Sequence, residues 1–246
     1  LVNGDLVVDI GCNDGFMLSM YRTPNVRLVG VEPVPDAAEA ARERNAQITV
    51  HQEYFSGDLK LAQVYGQRAK LVTAIAMFYS VDNPWKFMVA VRSLLAPDGL
   101  FVLQMNDLWS MLSNTAYDII GHEHVCYWGL DALGWLLDTC GLECFRVEHF
   151  PLNGGTARYF IAHKWARKVE PSLSLQVVRE RRFLIGDGAT GGWHQFRERV
   201  QTSQAALQKT IAEEIAAGGR VYVYGMATRG MTILQATGLN CKTVKG

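Results

Sequence analysis

Val7-Val8-Asp9-Ile10-Gly11-Cys12-Asn13-Asp14-Gly15 is the stretch of sequence that decides the fold. The apolar run that ends at Asp9 predicts a buried parallel strand, which enters a glycine-rich turn. A second apolar run, Val29-Gly30-Val31, ends in the acidic residue Glu32, 17 positions after Gly15. Glycines let the backbone approach a ligand, and a carboxylate at the end of the second strand can hold a ribose diol. The two runs therefore predict an α/β fold that binds a nucleoside-type cofactor.

The spacing of the turn glycines indicates which nucleoside is bound. Dinucleotide-binding folds use Gly-x-Gly-x-x-Gly to seat a pyrophosphate at a helix N-terminus. This chain has Gly11-x-x-x-Gly15 with Asn13 and Asp14 between the glycines, and these side chains suit an amino-acid ammonium better than a diphosphate. The pattern favours S-adenosylmethionine (SAM), and here the chain resembles the class I SAM-dependent methyltransferases. A NAD-type domain with a degenerate loop is the alternative.

The residues expected to bind SAM follow the ends of the predicted strands. Tyr54 and Phe55 come after the third short strand, and Ala76 and Met77 come at the end of the fourth. The full predicted set is Asp9, Gly11, Asn13, Asp14, Gly15, Glu32, Pro33, Tyr54, Phe55, Ala76 and Met77.

Composition excludes several other classes of function. The 246 residues include 24 basic and 24 acidic side chains and no clustered polybasic segment, so we expect no nucleic acid polymer and no membrane as partner. No apolar stretch reaches the roughly 18 residues that span a bilayer. The five cysteines lack a Cys-x-x-Cys pair, so we expect neither disulfides nor a metal site, and a cytoplasmic location is the default.

Alternating strands and helices through residues 1–163 predict a doubly wound, Rossmann-like sheet that forms the SAM-binding domain. The predicted strands are Leu6–Ile10, Leu28–Val31, Ile48–Val50, Leu71–Met77 and Leu100–Met105, with a closing antiparallel pair at Glu143–Phe150 and Ala157–Ala162. The predicted helices are Gly15–Tyr21, Asp36–Asn45, Trp85–Leu95 and Leu130–Cys140.

The remainder predicts two further parts. Residues 164–217 are polar and mostly helical, interrupted by a glycine-rich segment at 186–192, and form a helical connector. Residues 218–246 repeat the strand–glycine-turn–helix pattern, with a strand at Arg220–Tyr224 and a turn at Gly225–Gly230. We therefore expect an incomplete second Rossmann-like domain, and a chain that is a piece of a longer polypeptide.

A second constellation, Gly121-His122-Glu123-His124, follows the Leu100–Met105 strand. Open α/β sheets bind ligands outside the carboxyl ends of their strands, and His and Glu are suited to moving protons near neutral pH. Two alternatives stay open: structural histidines that donate to backbone carbonyls, or metal ligands at i and i+2, for which nothing nearby completes a set. A tight turn, Asn153-Gly154-Gly155-Thr156-Ala157-Arg158, adds an arginine.

These motifs resemble the nucleotide-sugar C-methyltransferases of deoxysugar biosynthesis. In that family an aspartate leads into His-Glu-His, a tyrosine follows three residues later, as Tyr127 does here, and a Gly-Gly-Ser-x-Arg-like turn comes next. The resemblance covers the chain in order. It implies a small zinc-binding N-terminal module, a SAM-binding middle domain and a Rossmann-like C-terminal domain, of which this chain would be the middle domain, the connecting helices and the start of the last domain.

The resemblance also implies a reaction. A base removes the proton next to the carbonyl of a nucleotide-linked ketosugar, and the resulting enolate takes the methyl group. His124 would be the base and Glu123 its partner. The residues carried over to the substrate pocket are Ser80, Tyr117, His122, Tyr127, Asn153, Gly154 and Arg158.

The chain departs from the family pattern at Gly121, where a tyrosine is common, and at Ser80, where a histidine is common. Two other functions are therefore kept open: O-methylation of a related small molecule, and a non-catalytic domain that binds SAM or a nucleotide sugar.

Overall fold

A seven-stranded sheet organises the first 163 residues of the computed structural model, which describes residues 1–186, 191–225 and 227–245. The strand order is β3-β2-β1-β4-β5-β7-β6, and every pairing is parallel except those of β7, which runs antiparallel to β5 and β6. This confirms the predicted Rossmann-like α/β fold. The strands are β1 (Leu6–Ile10), β2 (Arg27–Val31), β3 (Ile48–His51), β4 (Ala69–Ile75), β5 (Leu95–Asn106), β6 (Leu142–Phe150) and β7 (Thr156–His163).

Helices connect the strands and cover both faces of the sheet, because parallel neighbours need crossover connections. The α-helices within the described residues are α1 (Phe16–Ser19), α2 (Pro35–Arg44), α3 (Leu61–Val64), α4 (Pro84–Leu94), α5 (Leu108–Ser113), α6 (Leu130–Thr139), α7 (Pro171–Ile185), α8 (Gly192–Ala216) and α9 (Thr228–Thr237). None of the helices in the described part of the chain combines the length and the apolar character that a bilayer-spanning helix needs.

The strand β1 is buried along its whole length and feeds two cores on opposite faces. Val8 belongs to the larger core, with Phe87 and Val91 of α4. Val7 belongs to a smaller core, with Leu18 of α1 and Ala41 of α2. Successive strand residues point to opposite faces, so a continuous apolar run suits a strand that is covered on both sides.

The end of β4 lies two residues earlier than predicted, at Ile75. Ala76 has a φ of 55°, in the left-handed region, and this conformation turns the chain out of the strand. The residues Phe78–Ser80 then form a 3-10 helix.

The helices α7 and α8 lie in the segment predicted as connector. A third apolar cluster joins α8 to α5, with Phe196 clustered with Met111 and Leu112. The predicted break at 186–192 falls partly outside the described residues, which stop at Gly186 and resume at Gly191.

The predicted strand at Arg220–Tyr224 is wrong for the residues that the structure describes. Within the described residues it is a single parallel bridge between Tyr222 and Lys245, with Val223 N donating to the Lys245 carbonyl at 2.6 Å. A strand forms when several consecutive residues pair with a neighbouring strand, and in the described part of this segment only Tyr222 is paired. The helix α9 follows as predicted, while Met226 of the turn lies outside the described residues.

Candidate active site

The turn after β1 forms a cradle at the carboxyl edge of the sheet. Gly11 has a φ of 72°, and a Cβ atom added there would lie 3.2 Å from Cγ of Met77. Gly11 N donates to the Val31 carbonyl at 2.8 Å, which joins the ends of β1 and β2. The structure thus brings three predicted cofactor segments together, and the absence of a side chain at Gly11 keeps backbone accessible to a ligand.

Glu32 is held rigidly at the end of β2. Its Oε2 accepts a hydrogen bond from Asn13 N at 2.9 Å, and its Oε1 accepts one from Val34 N at 2.9 Å, while the residue is only 6% exposed. A carboxylate oxygen has two lone pairs, so each oxygen keeps one for a further donor. Two aligned acceptors fit the two hydroxyls of a ribose.

Asp9 lies beneath the cradle rather than in it. The residue is 3% exposed, and Thr73 Oγ1 donates to its Oδ1 at 2.6 Å. Burial raises the pKa of Asp9 to about 7, the nearby charge of Glu32 adds to this, and the Thr73 hydrogen bond opposes it. The carboxyl group therefore links β1 to β4 through Thr73.

The other residues of the turn, Asn13, Asp14 and Gly15, differ in exposure and in their contacts. Asn13 is exposed, with a φ of 49°. Asp14 forms an ion pair with Arg44 of α2, so its charge is already matched, which the sequence did not indicate. Gly15 allows α1 to approach α2, because a Cβ there would lie 3.0 Å from Cβ of Ala41.

The two aromatic residues after β3, Tyr54 and Phe55, lie in different environments. Tyr54 is 82% exposed at the sheet edge beyond Glu32. Phe55 is partly buried and packs against Phe87 of α4, with ring centroids 5.2 Å apart. An apolar ring is stabilised by burial among other rings. Pro33 is half-buried directly after Glu32.

Cys12 fills the space behind the turn. A Cβ atom at Gly30 would lie 2.4 Å from Sγ of Cys12, so the thiol occupies room that only a glycine on β2 leaves free. Burial raises the pKa of the Cys12 thiol to about 12, and the charges of Asp9 and Glu32 add to this. The residue acts as a small apolar side chain of the second core.

The His-Glu-His loop places only one imidazole inward. His122 and Glu123 are exposed, whereas His124 is half-buried. The His124 ring packs on the Tyr79 ring, with centroids 4.0 Å apart and planes at 43°, and lies 6.2 Å from the Tyr127 ring. The geometry distinguishes the two histidines that the sequence could not separate.

Two hydrogen bonds fasten this loop to the 3-10 helix Phe78–Ser80. Ser80 Oγ donates to the Glu123 carbonyl at 2.7 Å, and Cys126 N donates to the Tyr79 carbonyl at 3.1 Å. Ser80, predicted to bind substrate, therefore anchors the loop in this structure.

The surroundings of His124 favour the neutral imidazole. Burial lowers its pKa below the ordinary value, while a hydrogen bond to the Ile119 backbone and the charge of Glu123 oppose this. A neutral imidazole has one N–H donor and one acceptor nitrogen. A half-buried neutral imidazole is the form that a general base requires.

Tyr127 lies beside His124. Burial raises the pKa of its phenol, and a hydrogen bond from the Gly121 backbone to its oxygen opposes this rise. Gly121 itself lies close to α9, because a Cβ there would be 3.6 Å from Cγ2 of Thr228.

The predicted turn at Asn153-Gly154 packs against the segment that precedes the loop. Asn106 Nδ2 donates to the Asn153 carbonyl at 2.9 Å, and Asn114 Nδ2 donates to the Gly154 carbonyl at 2.9 Å. Gly154 has a φ of 85°, and a Cβ there would lie 2.6 Å from Cβ of Ala116. Only glycine fits this approach without strain.

Arg229 of α9 contacts both Asp118 and Asn153, and the sequence did not predict this role. Its Nε donates to Oδ2 of Asp118 at 2.6 Å, and its Nη1 lies 3.4 Å from Oδ1 of Asn153. Tyr117, next to Asp118, lines a groove of about 410 Å³ between α8 and α9. The only available signal was the position of Arg229 inside the glycine-rich turn at 225–230.

Arg158, predicted for the substrate pocket, lies on β7 and contacts groups of the sheet. Its Nε donates to Gln104 Oε1 at 2.8 Å, its Nη1 is 3.8 Å from Glu148, and the guanidinium packs 4.7 Å from the centre of the Phe150 ring. Groups on the sheet therefore contact this cation in the structure, which the sequence did not indicate.

No group of three or more His, Cys, Asp or Glu side chains within the described ranges has the arrangement of a metal site.

Comparison with known proteins identifies the family. Residues 3–147 match the family described as a methyltransferase domain, and residues 151–245 match the C-methyltransferase C-terminal domain. The chain is 30% identical over 246 residues to the C-methyltransferase NovU of Streptomyces niveus and covers 58% of it. It is 24% identical over 127 residues, 52% of this chain, to a ubiquinone biosynthesis O-methyltransferase of Azorhizobium caulinodans, and covers 49% of that protein. The chain therefore spans only part of each relative.

Solved structures share the fold. A chain from the complex of the Haloferax volcanii Trm112 methyltransferase activator with a methyltransferase aligns over 67% of this chain and 84% of its own, with a TM-score of 0.53 and 16% identity. The plantazolicin methyltransferase BpumL, solved with a triazolic desmethylPZN analog and SAH, aligns over 65% of this chain and 77% of its own, with a TM-score of 0.50 and 12% identity.

The sheet order, the cradle beside Glu32 and the family match agree on the class of protein, a methyltransferase domain of the SAM-binding kind. The chain belongs to the methyltransferase-domain family, and it resembles the C-methyltransferase NovU along its whole length.

Proposed function

We propose that the chain is the SAM-binding and base-bearing part of an enzyme that methylates a carbon of a nucleotide-linked ketosugar. The observation that carries the proposal is the half-buried His124, whose surroundings favour the neutral ring and whose loop is anchored to the segment after β4. The likeness to NovU, a C-methyltransferase, supports carbon as the acceptor atom. The proposal of a ketosugar as the substrate rests on the resemblance of the His-Glu-His and Gly-Gly-Thr-Ala-Arg motifs to those of the nucleotide-sugar C-methyltransferases.

The proposed cofactor site uses the ends of β1, β2 and β4. Glu32 would hold the ribose hydroxyls with the lone pairs that Asn13 N and Val34 N leave free. The backbone at Gly11 would approach the methionine part, and Met77 would cover it. When bound, SAM supplies an electrophilic methyl group on a sulfonium sulfur. In this proposal residues 1–163 form the cofactor domain, 164–217 the connector and 218–246 the start of a further domain.

In the first proposed step, His124 would remove a proton from the substrate without the participation of SAM. Its free ring nitrogen takes the proton from the carbon next to the ketone, the C–H electron pair moves into a carbon–carbon double bond, and the carbonyl oxygen becomes an enolate. The exposed carboxylate of Glu123 stabilises the imidazolium that results, since its charge raises the pKa of His124. The nucleophilic carbon can then accept a methyl group.

Deuterium exchange tests this step directly. The full-length protein is incubated in D₂O with a panel of nucleotide-linked 4-ketohexoses in the absence of SAM, and the sugars are examined by mass spectrometry. One deuterium at the carbon beside the ketone, followed by a single methyl group when SAM is added, is the expected result. Methylation without exchange would contradict the enolate route.

O-methylation is a second candidate. The chain matches a ubiquinone biosynthesis O-methyltransferase over 127 residues, and Ser80 and Gly121 stand where the resembled family commonly has proton-handling side chains. In this case His124 would deprotonate a hydroxyl, and the product would gain a methyl group on oxygen with no exchange at carbon. A non-catalytic binding domain would show SAM binding with neither exchange nor methylation.

A further inference from the structure

Tyr79 lies between the segment after β4 and the His-Glu-His loop, and the chemistry proposed above does not use it. Its hydroxyl donates to the Ala76 carbonyl at 2.6 Å. Its ring packs on His124, with 4.0 Å between the centroids. Its own carbonyl accepts the Cys126 N–H at 3.1 Å. One residue therefore contacts the cofactor side and the base side of the site.

On the cofactor side, Tyr79 stabilises an unusual backbone conformation. Ala76 has a φ of 55°, which is costly for a residue with a side chain. Ala76 N donates to the Gln104 carbonyl at 2.7 Å, and the Tyr79 hydroxyl binds the Ala76 carbonyl. Both polar groups of the strained peptide segment are thus paired. The next residue, Met77, covers the Gly11 cradle.

On the base side, Tyr79 shields the imidazole from water. The titratable groups that face His124 are Glu123 on its own loop, Tyr127 farther along that loop, and Tyr79 from the 3-10 helix. Burial also raises the pKa of the Tyr79 phenol, so this group stays neutral around neutral pH. Contact with the Tyr79 ring is therefore part of what keeps His124 half-buried.

We propose that Tyr79 is a positioning residue that fixes the imidazole of His124 with its ring and the cofactor segment at Ala76 with its hydroxyl. The two contacts come from one rigid side chain, so the base and the cofactor segment keep one relative placement. The role in catalysis rests on the proposed function, whereas the two contacts can be tested without any turnover.

Three variants separate the contacts. Tyr79→Phe removes the hydroxyl and keeps the ring, and Tyr79→Leu removes both. Tyr65→Phe is the matched control, because Tyr65 forms another tyrosine–histidine contact, with its hydroxyl 2.8 Å from Nε2 of His51 at the end of β3. Titration of His124 by NMR, assigned with His124→Ala, and SAM binding by calorimetry are measured on the full chain.

The expected pattern is specific to each variant. Tyr79→Leu should raise the midpoint of His124 titration towards that of an exposed histidine, while Tyr79→Phe should leave it close to wild type. Both should weaken SAM binding by about fivefold, the equivalent of one neutral hydrogen bond. Tyr65→Phe should change neither quantity.

An unchanged His124 midpoint in folded Tyr79→Leu would overturn the shielding role. An unchanged SAM affinity in Tyr79→Phe would overturn the role at Ala76, and this conservative variant keeps the test available if Tyr79→Leu fails to fold. Failure of the proposed function has a different signature: methylation at the wild-type rate by His124→Ala, whatever the Tyr79 variants show.

Discussion

Gly129 lies directly against the carboxylate of Glu180, so that a Cβ atom at position 129 would come within 2.2 Å of Glu180 Oε1. Glu180 belongs to α7, and its two oxygens accept hydrogen bonds from Leu130 N at 2.9 Å and Asp131 N at 3.4 Å, at the start of α6. Free N–H groups at a helix start favour a carboxylate partner. The connector thus caps the helix that follows the His-Glu-His loop.

Gly129→Ala should destabilise the protein by about 1–3 kcal/mol, the usual cost of inserting a methyl group into filled space. The added methyl displaces Glu180 and leaves the α6 N–H groups without their cap. Denaturant unfolding measures the loss. In a Glu180→Ala background the same substitution should cost clearly less, and an equal cost in both backgrounds would contradict the contact.

Gly134→Ala is the control for this substitution. Gly134 lies inside the same helix with no atom within 4 Å of an added Cβ. Alanine there should stabilise the helix by about 1 kcal/mol, because it has the higher helix propensity.

His124→Ala should lower the methylation rate by about 10²–10⁴-fold, the range that general-base catalysis supplies. SAM affinity should stay at the wild-type value, since the side chain contacts Tyr79 and not the Gly11 cradle. Single-turnover mass spectrometry gives the rate. His194→Gln, an exposed histidine on α8 paired with Glu198, should behave as wild type.

The loss of activity at low pH should follow the protonation of His124. The base works only when neutral, and burial lowers its pKa below 6.5. kcat/KM should therefore be flat near neutral pH and fall as the pH drops through a midpoint below 6.5. Glu123→Gln should move this midpoint lower still, because the charge of Glu123 raises the pKa. A midpoint that moves upward in this variant would show that another group controls the limb.

Glu32→Gln should weaken SAM binding by about 10- to 100-fold, since hydrogen bonds to a charged acceptor contribute about 1.5–3 kcal/mol. An amide nitrogen also replaces one acceptor with a donor that opposes Asn13 N or Val34 N. Calorimetry with SAM checks the value. Glu39→Gln, at an exposed position on α2, should bind SAM normally, and equal affinities for both variants would exclude Glu32 from the site.

The sheet and the cradle could be predicted because their signals are local. A run such as Leu6–Ile10 reveals a buried strand by its own composition, and Gly11 and Glu32 stand at strand ends where a ligand is expected. The predicted strand at Arg220–Tyr224 carried the same local signal, but a strand also needs neighbours. Within the described residues only Tyr222 pairs, with Lys245.

The contacts that organise the site are non-local, and sequence patterns do not report them. Arg229 and Asp118 are 111 positions apart, and Glu180 and Leu130 are 50 positions apart. Phe55 was assigned to the cofactor site from its position after a predicted strand, and Arg158 to the substrate pocket from the family resemblance. Their actual partners, Phe87 and Gln104, are set by how the elements pack.

The buried thiol of Cys12 decides how this protein can be labelled. Cys12 and Cys144 are buried with thiol pKa values raised to about 12, and Cys140 is also buried with a raised pKa, so thiolate-directed reagents should spare all three in the folded state. Cys241 is exposed, beyond α9. Cys126, next to the His-Glu-His loop, is only partly buried, so a Cys126→Ser variant would direct a maleimide dye or spin label to Cys241 and leave the cofactor cradle chemically untouched.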